Sequence, residues 1–444
     1  MTDNLHWGCQ WRSSKAFTIS TIIVALFAET FLYGFIVPIL SFMVDVRLRL
    51  PPSHTQRLTT ALLTVHGFVS IASAPVIAHF TDKSPNCKVP LLISLAGCMI
   101  GTFLVASATT VWTLFMGRIM QACSGSATWI IGFATLADNV GQEHMGKVLG
   151  LAMSFVTAGT TLGPVVSGAL LQLAGYWTAW SAPLVLLALD SMARMLMLEK
   201  ENADEEPTTS DEERASLLAS TRPEFEMPDQ PSHVSIIRLY GVLLSDARII
   251  TGLLNTFAFS VILSGFDATL PLHLQDVFGW NSLPIGMIFL GIQIPAMLLG
   301  PLVGWLRDCI GIRYPTALGW LLIAPLLWTI GVPGVPGHPW AGSEGYGEAI
   351  FIGGIVGIGA ASPLVRGAGM FQLTAVTHDL QSENPSLFGS YGGNSRIFSI
   401  LEIAFNTGAM IGPLFCGSLS EAIGFYYMLC ILGMSLKTRT VGTC

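Results

Sequence analysis

The sequence predicts an all-α membrane protein of two pseudo-symmetric six-helix bundles, with about 12 transmembrane helices and a short last one. Three observations carry that expectation: sparse charge, successive apolar stretches long enough to cross a bilayer, and a repeat relating the two halves. Of 444 residues, 52% are apolar and only 11% are Asp, Glu, Lys or Arg, with a mean hydropathy of +0.62. Soluble domains carry about 25% charged residues, so a soluble enzyme of two or three domains is excluded. Acids outnumber bases, 28 to 21, leaving no basic excess to neutralise phosphates and no nucleic-acid partner. The eight cysteines include no pair at CxxC spacing, so neither a disulfide framework nor a metal site is expected. No cofactor is expected either.

The apolar stretches fall at 17–41, 58–80, 89–108, 111–136, 147–173, 178–198, 249–275, 283–306, 315–331, 349–374, 395–420 and 424–436. A hydrocarbon core of about 30 Å needs about 20 such residues. The first stretch is too long for a signal-peptide core and is read as a retained span. The last runs for about 13 apolar residues before Lys437-Thr438-Arg439, as a re-entrant segment or a truncated gene product would. With the N-terminus cytosolic, Arg12, Lys15, Lys83, Lys88, Lys147, Lys200, Arg307, Arg313, Lys437 and Arg439 fall on the inner side. Only Arg47, Arg49 and Arg57 fall outside, and this asymmetry predicts both termini in the cytosol. The domains are then a cytosolic tail (1–16), an N-terminal bundle (17–198), a linker (199–247) and a C-terminal bundle (248–444). The linker, acidic and rich in Ser, Thr and Pro, cannot bury a core and is expected to be disordered and cytosolic. Within it, Glu213 to Leu218 has the shape of an acidic dileucine sorting signal, a pattern that also arises by chance.

The halves echo each other. Pro75-Val-Ile-Ala78-His-Phe-Thr-Asp82-Lys83 follows span two, and Pro301-Leu-Val-Gly304-Trp-Leu-Arg-Asp308 follows span eight, with Pro and Asp recurring at an offset of 226 residues. Span five carries Gly159-x-x-x-Gly163-Pro164-x-x-x-Gly168, and span eleven carries Gly408-x-x-x-Gly412-Pro413-x-x-x-Gly417. Glycine at every fourth position lets two backbones approach closely, and proline removes a backbone hydrogen bond and permits a kink. These spans are therefore expected to form bendable seams between the bundles. An internal repeat of this kind points to alternating access by rocking of one half against the other.

On these motifs the chain resembles the major facilitator superfamily over nearly its whole length. Ala78 to Lys88 resembles the Gly-x-x-x-Asp-Arg-x-Gly-Arg-Lys loop, with Ala78 for Gly, Lys83 for Arg, and Asn86-Cys87 for Gly-Arg. Arg118-Ile-Met-Gln121-Ala122 resembles Arg-x-x-Gln-Gly of span four, and Gly159 to Ala169 the antiporter motif of span five. Glu29 to Pro38, Asp267 to Pro271 and Ile400 to Phe405 resemble vesicular amine transporters and fungal multidrug or secondary-metabolite exporters. The resemblance implies the major facilitator fold and proton-driven efflux of a small organic molecule such as a drug, amine or secondary metabolite. It also gives Arg118 a role as a fixed charge that holds a nearby carboxylate until that acid is protonated.

An ionisable side chain deep in a bilayer is costly and so a functional candidate. Glu29 lies about 18 Å into span one, at about 1.5 Å per residue. Desolvation favours the uncharged acid, so a carboxyl at such a depth can exchange a proton for a cationic substrate, or simply stay protonated without a role. Ser260, Ser264 and Asp267 share one face of span seven, and Ser395, Ser399, Glu402 and Asn406 share one face of span eleven. Such stripes face protein or water, since lipid cannot satisfy them; helix–helix hydrogen bonding is the alternative for the Ser and Asn members. His66 is both a titratable candidate and an ordinary interface histidine, and Arg366 is a second buried charge or a cavity-lining residue. Tyr33, Gln121, Ser264 and Asn406 are cavity candidates. Phe31, Trp129, Phe259, Phe266 and Phe371 offer further aromatic lining and cation–π contacts. Asp82 and Asp308, at cytosolic helix ends, are expected to pair with a base or accept from a helix N-terminus, stabilising the outward-open state without touching substrate.

No GxSxG, HExxH or P-loop pattern occurs, so an enzyme is not expected. The competing readings are an importer or uniporter of a small nutrient on the same fold, and a truncated homologue that no longer transports. The expected partners are a small-molecule substrate, protons and the lipid bilayer, for a monomer in the plasma membrane or a vacuolar or vesicular membrane.

Overall fold

The computed structural model describes residues 14–51, 55–82, 88–140, 142–197, 236–280, 282–335, 345–383 and 394–442, with Arg12 and Gly342. Lys83 and the segment from Glu213 to Leu218 lie outside the described residues. In chain order the α-helices are α1 (Lys15–Phe42), α2 (Thr55–Thr81), α3 (Lys88–Ala106), α4 (Val111–Asn139), α5 (Met145–Ala174), α6 (Tyr176–Leu196), α7 (Ile236–Ser245), α8 (Ala247–Phe278), α9 (Ser282–Ile310), α10 (Arg313–Gly331), α11 (Tyr346–Val365), α12 (Ala368–Glu383), α13 (Asn394–Ile423) and α14 (Phe425–Gly442). Eleven spans are long and apolar enough to cross a membrane, α11 and α12 counting as one, and Phe425–Met434 is a shorter apolar helix. This agrees with a chain of about twelve spans whose last is short.

Local chemistry sets several helix starts. Ser14, Thr110 and Asp246 accept from the first-turn N–H groups of Phe17, Thr113 and Arg248 at 3.2, 3.3 and 2.7 Å, satisfying donors that have no partner inside the helix. The repeat extends to the turns between the last two helices of each half. Gly175 ends α5 at φ 86° and Gly424 ends α13 at φ 89°, a region costly for residues bearing a Cβ. Large apolar side chains such as Phe68, Phe80, Ile93 and Leu173 stay exposed and suit contact with lipid tails.

Within the N-terminal bundle α1 packs on α5, and α4 on α2 and α3; within the C-terminal bundle α8 packs on α13, and α11 on α9 and α10. The bundles meet along two faces related by the repeat, α5 with α9 and α2 with α13, and α4 adds contacts to α13.

Three expectations are corrected here. The close-packing glycines of the glycine–proline segments do not face the other bundle. A Cβ on Gly159 would meet Thr30 Oγ1 and the Phe27 carbonyl, and one on Gly163 would meet the Phe31 carbonyl, all on α1. Gly408 and Gly412 press in the same way on Ser260, Val261 and Ser264 of α8, so each motif closes a seam inside its own bundle. The close approach between bundles uses another glycine pair, Gly146 and Gly150 of α5 against Gly304 and Gly300 of α9. The expected linker 199–247 contains α7, whose Leu243 is fully buried and whose Tyr240 hydroxyl lies 3.3 Å from that of Ser399; an amphipathic apolar run docks where composition suggested disorder. Finally, span ten is not continuous: it breaks at Arg366 and Gly367, the latter at φ 76°.

Candidate functional site

The break in span ten organises the centre of the molecule. Ending α11 frees its last carbonyls, which need donors in a medium without water. Arg307 supplies them: its Nη2 donates to the carbonyls of Pro363, Leu364 and Arg366 at 2.9, 2.9 and 3.0 Å, and its guanidinium lies 5.3 Å from the Phe371 ring centroid. Arg307 is only 5% exposed, so it is a buried structural cation and not the loop charge that the orientation argument counted.

With the chain turned there, Arg366 lines a cavity together with Trp129, Phe133, Asn255, Phe259, Phe398, Glu402 and Phe405. The cavity draws on both bundles. Arg366 Nη1 donates to Thr157 of α5 at 2.6 Å, across the bundle interface. Trp320 Nε1 donates to Asn255 Oδ1 at 2.8 Å, and the amide of Asn255 donates to the Val365 carbonyl at 3.1 Å. Glu402 is held by Asn406, whose Nδ2 donates to Glu402 Oε1 at 2.8 Å. Asn406, expected on the cavity wall, therefore positions the acid.

The other sequence candidates form a second cluster in the N-terminal bundle. Arg118, 1% exposed, donates to Gln121 Oε1 at 3.2 Å and lies 5.3 Å from the Tyr33 ring centroid. Gln121 in turn donates to Thr102 at 3.0 Å, and the His66 ring sits 5.2 Å from that of Tyr33. Glu29 packs against Gly125 and accepts from the Cys98 thiol at 3.7 Å. It feels the charges of Arg118 and Arg194, Glu402 feels that of Glu29, and Tyr33 feels that of Asp267. Of the three membrane acids singled out in the sequence, Glu402 lines the central cavity, whereas Glu29 and Asp267 do not line it. Glu29 is buried in a helix interface, whereas Asp267 is exposed. Ser264 follows the alternative given for the serines: its hydroxyl lies 2.8 Å from the Ser260 carbonyl and 3.4 Å from the Gly408 carbonyl of α13.

The two aspartates of the repeat cap helices across the interface. Asp308, at the end of α9, accepts from the backbone N–H groups of Gly146 and Lys147 at the start of α5, at 2.6 and 2.8 Å. Asp82, beyond α2, pairs with Arg396 Nε of α13 at 3.3 Å and accepts hydrogen bonds from Ser395 and Arg396. Each places an anion at the positive end of a helix dipole in the opposite bundle. Burial pushes the Asp82 carboxyl up to about 6, against the opposing effect of Ser395 and Arg396.

Sequence reasoning missed the pair Asp190–Arg194 in α6, 2.8 Å apart and 1% and 3% exposed. Opposite charges at i and i+4 in an apolar run were the available signal. Arg194 also donates to the Leu91 carbonyl at 2.8 Å, so the pair ties α6 to α3 within reach of Glu29.

The comparisons with known proteins agree with this architecture. The family model described as Major Facilitator Superfamily matches residues 18–377. An uncharacterized MFS-type transporter of Schizosaccharomyces pombe is 30% identical over 427 residues, covering 95% of this chain and 94% of the relative. A probable vesicular acetylcholine transporter of Danio rerio is 23% identical, covering 94% of this chain and 76% of its own. Among solved structures, that of the human organic anion transporter MFSD10 superposes with a TM-score of 0.69 at 16% identity, covering 97% of this chain and 99% of that one. That likeness is one of fold. The family and its transporter relatives make the protein a transporter and not an enzyme. This chain, with its two helical bundles meeting along α5–α9 and α2–α13, belongs to the Major Facilitator Superfamily.

Proposed function

We propose that the protein exports a small organic molecule, such as a drug, amine or secondary metabolite, in exchange for protons, by rocking of the two bundles about the central cavity. The observation that carries this reading is Glu402: an acid on the cavity wall, held by Asn406 and within electrostatic reach of Glu29, which itself feels Arg118. An acid that binds a proton and a cationic group in turn couples the two fluxes, and the Glu29–Arg118 neighbourhood gives that charge change a second site to act on. The relative named for acetylcholine, a small organic cation, supports an amine-bearing substrate. The Asp82 and Asp308 caps hold the cytosolic ends of the bundles together, which favours a cavity facing outward. The reading places the protein as a monomer in the plasma membrane or a vacuolar or vesicular membrane, with cytosolic termini.

Inside-out vesicles with an imposed proton gradient test it. A panel of labelled aromatic and aliphatic amines should include members that accumulate in wild-type vesicles and fail to do so with a protonophore. Glu402→Gln and Glu29→Gln should abolish gradient-driven accumulation while insertion stays normal. Flux indifferent to the protonophore would support a uniporter instead.

A further inference from the structure

The central cavity holds two opposite charges that do not meet. Glu402 and Arg366 both line it, yet the ion pairs among the described residues are Arg194–Asp190, Arg248 with Asp246 and Asp379, and Arg396–Asp82. Arg366 therefore has no carboxylate partner. A guanidinium presents five N–H donors in a planar fork suited to a carboxylate or phosphate. Here one nitrogen donates to the Thr157 hydroxyl at 2.6 Å, a bond that orients the fork without neutralising it. The same side chain also lines the two neighbouring cavities, one of them together with Arg307. Its neighbour Arg307 donates through Nη2 to backbone carbonyls and adds positive charge to the same region. Leaving a charge unpaired in an apolar enclosure is costly. Most of the remaining lining is apolar, with an aromatic part: Trp129 and Phe405 lie nearly parallel, with ring centroids 6.5 Å apart, and Phe133 and Phe398 follow at 6.0 Å.

We infer that the substrate is amphoteric: an aromatic or otherwise apolar body carrying an amine that faces Glu402 and an acidic group that faces Arg366. This rests on the transport reading above and adds to it the substrate's second charge. Arg366 selects the anionic end, Glu402 exchanges the cationic end for a proton, and the apolar walls hold the body between them.

Binding to the purified full-length protein in detergent, with no gradient, separates this inference from the transport reading. Three indole probes of similar size serve: tryptamine as the amine, indole-3-propionate as the acid and tryptophan as the zwitterion. Wild-type protein should bind tryptophan most tightly. Arg366→Gln should weaken tryptophan at least about tenfold, the loss expected when one partner of a buried charged hydrogen bond is removed, and leave tryptamine unchanged or tighter. Glu402→Gln should weaken tryptophan and tryptamine and spare indole-3-propionate. Arg366→Lys, which retains the charge, should keep a preference for tryptophan over tryptamine, and the thermal midpoint of each variant shows that it folds. Tryptamine as the tightest ligand, equal response of all three probes to Arg366→Gln in a folded variant, or no binding of any probe would overturn the inference. A vesicle assay that then failed to show proton dependence would remove the coupling and leave the amphoteric site standing.

Discussion

At the scale of single residues, the same side-chain chemistry does different work according to what surrounds it. Asp82 is a carboxylate at a helix N-terminus beside an arginine, and its burial outweighs both. A solvated aspartate in an opened interface titrates near 3.8, whereas in the closed contact Asp82 is pushed up to about 6. The closed contact is thus fully favoured below 3.8, and that contribution is lost as pH rises through about 6. Asp82→Asn, uncharged throughout, should gain on the wild type over that interval by about 1–3 kcal/mol, read as thermal midpoints across pH; a constant difference between the two proteins would refute it. The acids and Arg118 were legible in the sequence because a charge in an apolar helix stands out at any register. Which of them reaches the cavity was not, because that depends on neighbours from other helices. Glu402 and Glu29 look alike in sequence, but Gly125 and Cys98 pack on Glu29 whereas Asn406 holds Glu402 at the cavity. Arg307 looked like a loop charge for the same reason: the break to which it donates lies 56 to 59 residues further along the chain, near Arg366.

At the scale of elements, the two glycine–proline motifs were legible as close-packing devices and misread as to partner. Spacing says that a backbone approaches but not which one. The structure divides each motif's glycines into two kinds. A Cβ on Gly159 would meet the Phe27 carbonyl at 2.6 Å and the Phe31 amide at 3.0 Å, whereas Gly168 and Gly417 have nothing within 4 Å. Gly159→Ala should therefore force α1 from α5 and destabilise by about 1–3 kcal/mol. Gly168→Ala should be neutral or stabilising by up to about 1 kcal/mol, since alanine favours the helix. Thermal midpoints of the two variants check this, and an equal loss in both would contradict the geometry. The span count and boundaries were largely readable because lipid imposes length and polarity on every spanning helix. Helix α7 was not, since ten residues can fold against a bundle without any such constraint.

For the whole molecule, the repeat determines how the bundles meet: α2 with α13 and α5 with α9, each capped by an aspartate from the opposite half. Asp308→Asn removes the charge from the start of α5 while keeping one acceptor, a loss of about 0.3–2 kcal/mol. That should shift the population toward inward opening, seen as faster alkylation of a cysteine placed at Met153 on the cavity wall. Unchanged alkylation would mean that other contacts hold the inner side shut. The pairing of bundles follows from the repeat visible in sequence, whereas the cavity's chemistry required three dimensions.

The two faces are alike in topology and unlike in substance. On one, Gly146 and Gly150 bring bare peptide against bare peptide at Gly304 and Gly300; on the other, Gly67 meets the side chain of Met410. Peptide against peptide has no slack, while a thioether chain can swivel through several rotamers and keep its contacts. Any tilting of the halves must then pivot along the stiff edge and be taken up at the compliant one, as a gate swings from its post, so the mouth of the chamber opens lopsidedly.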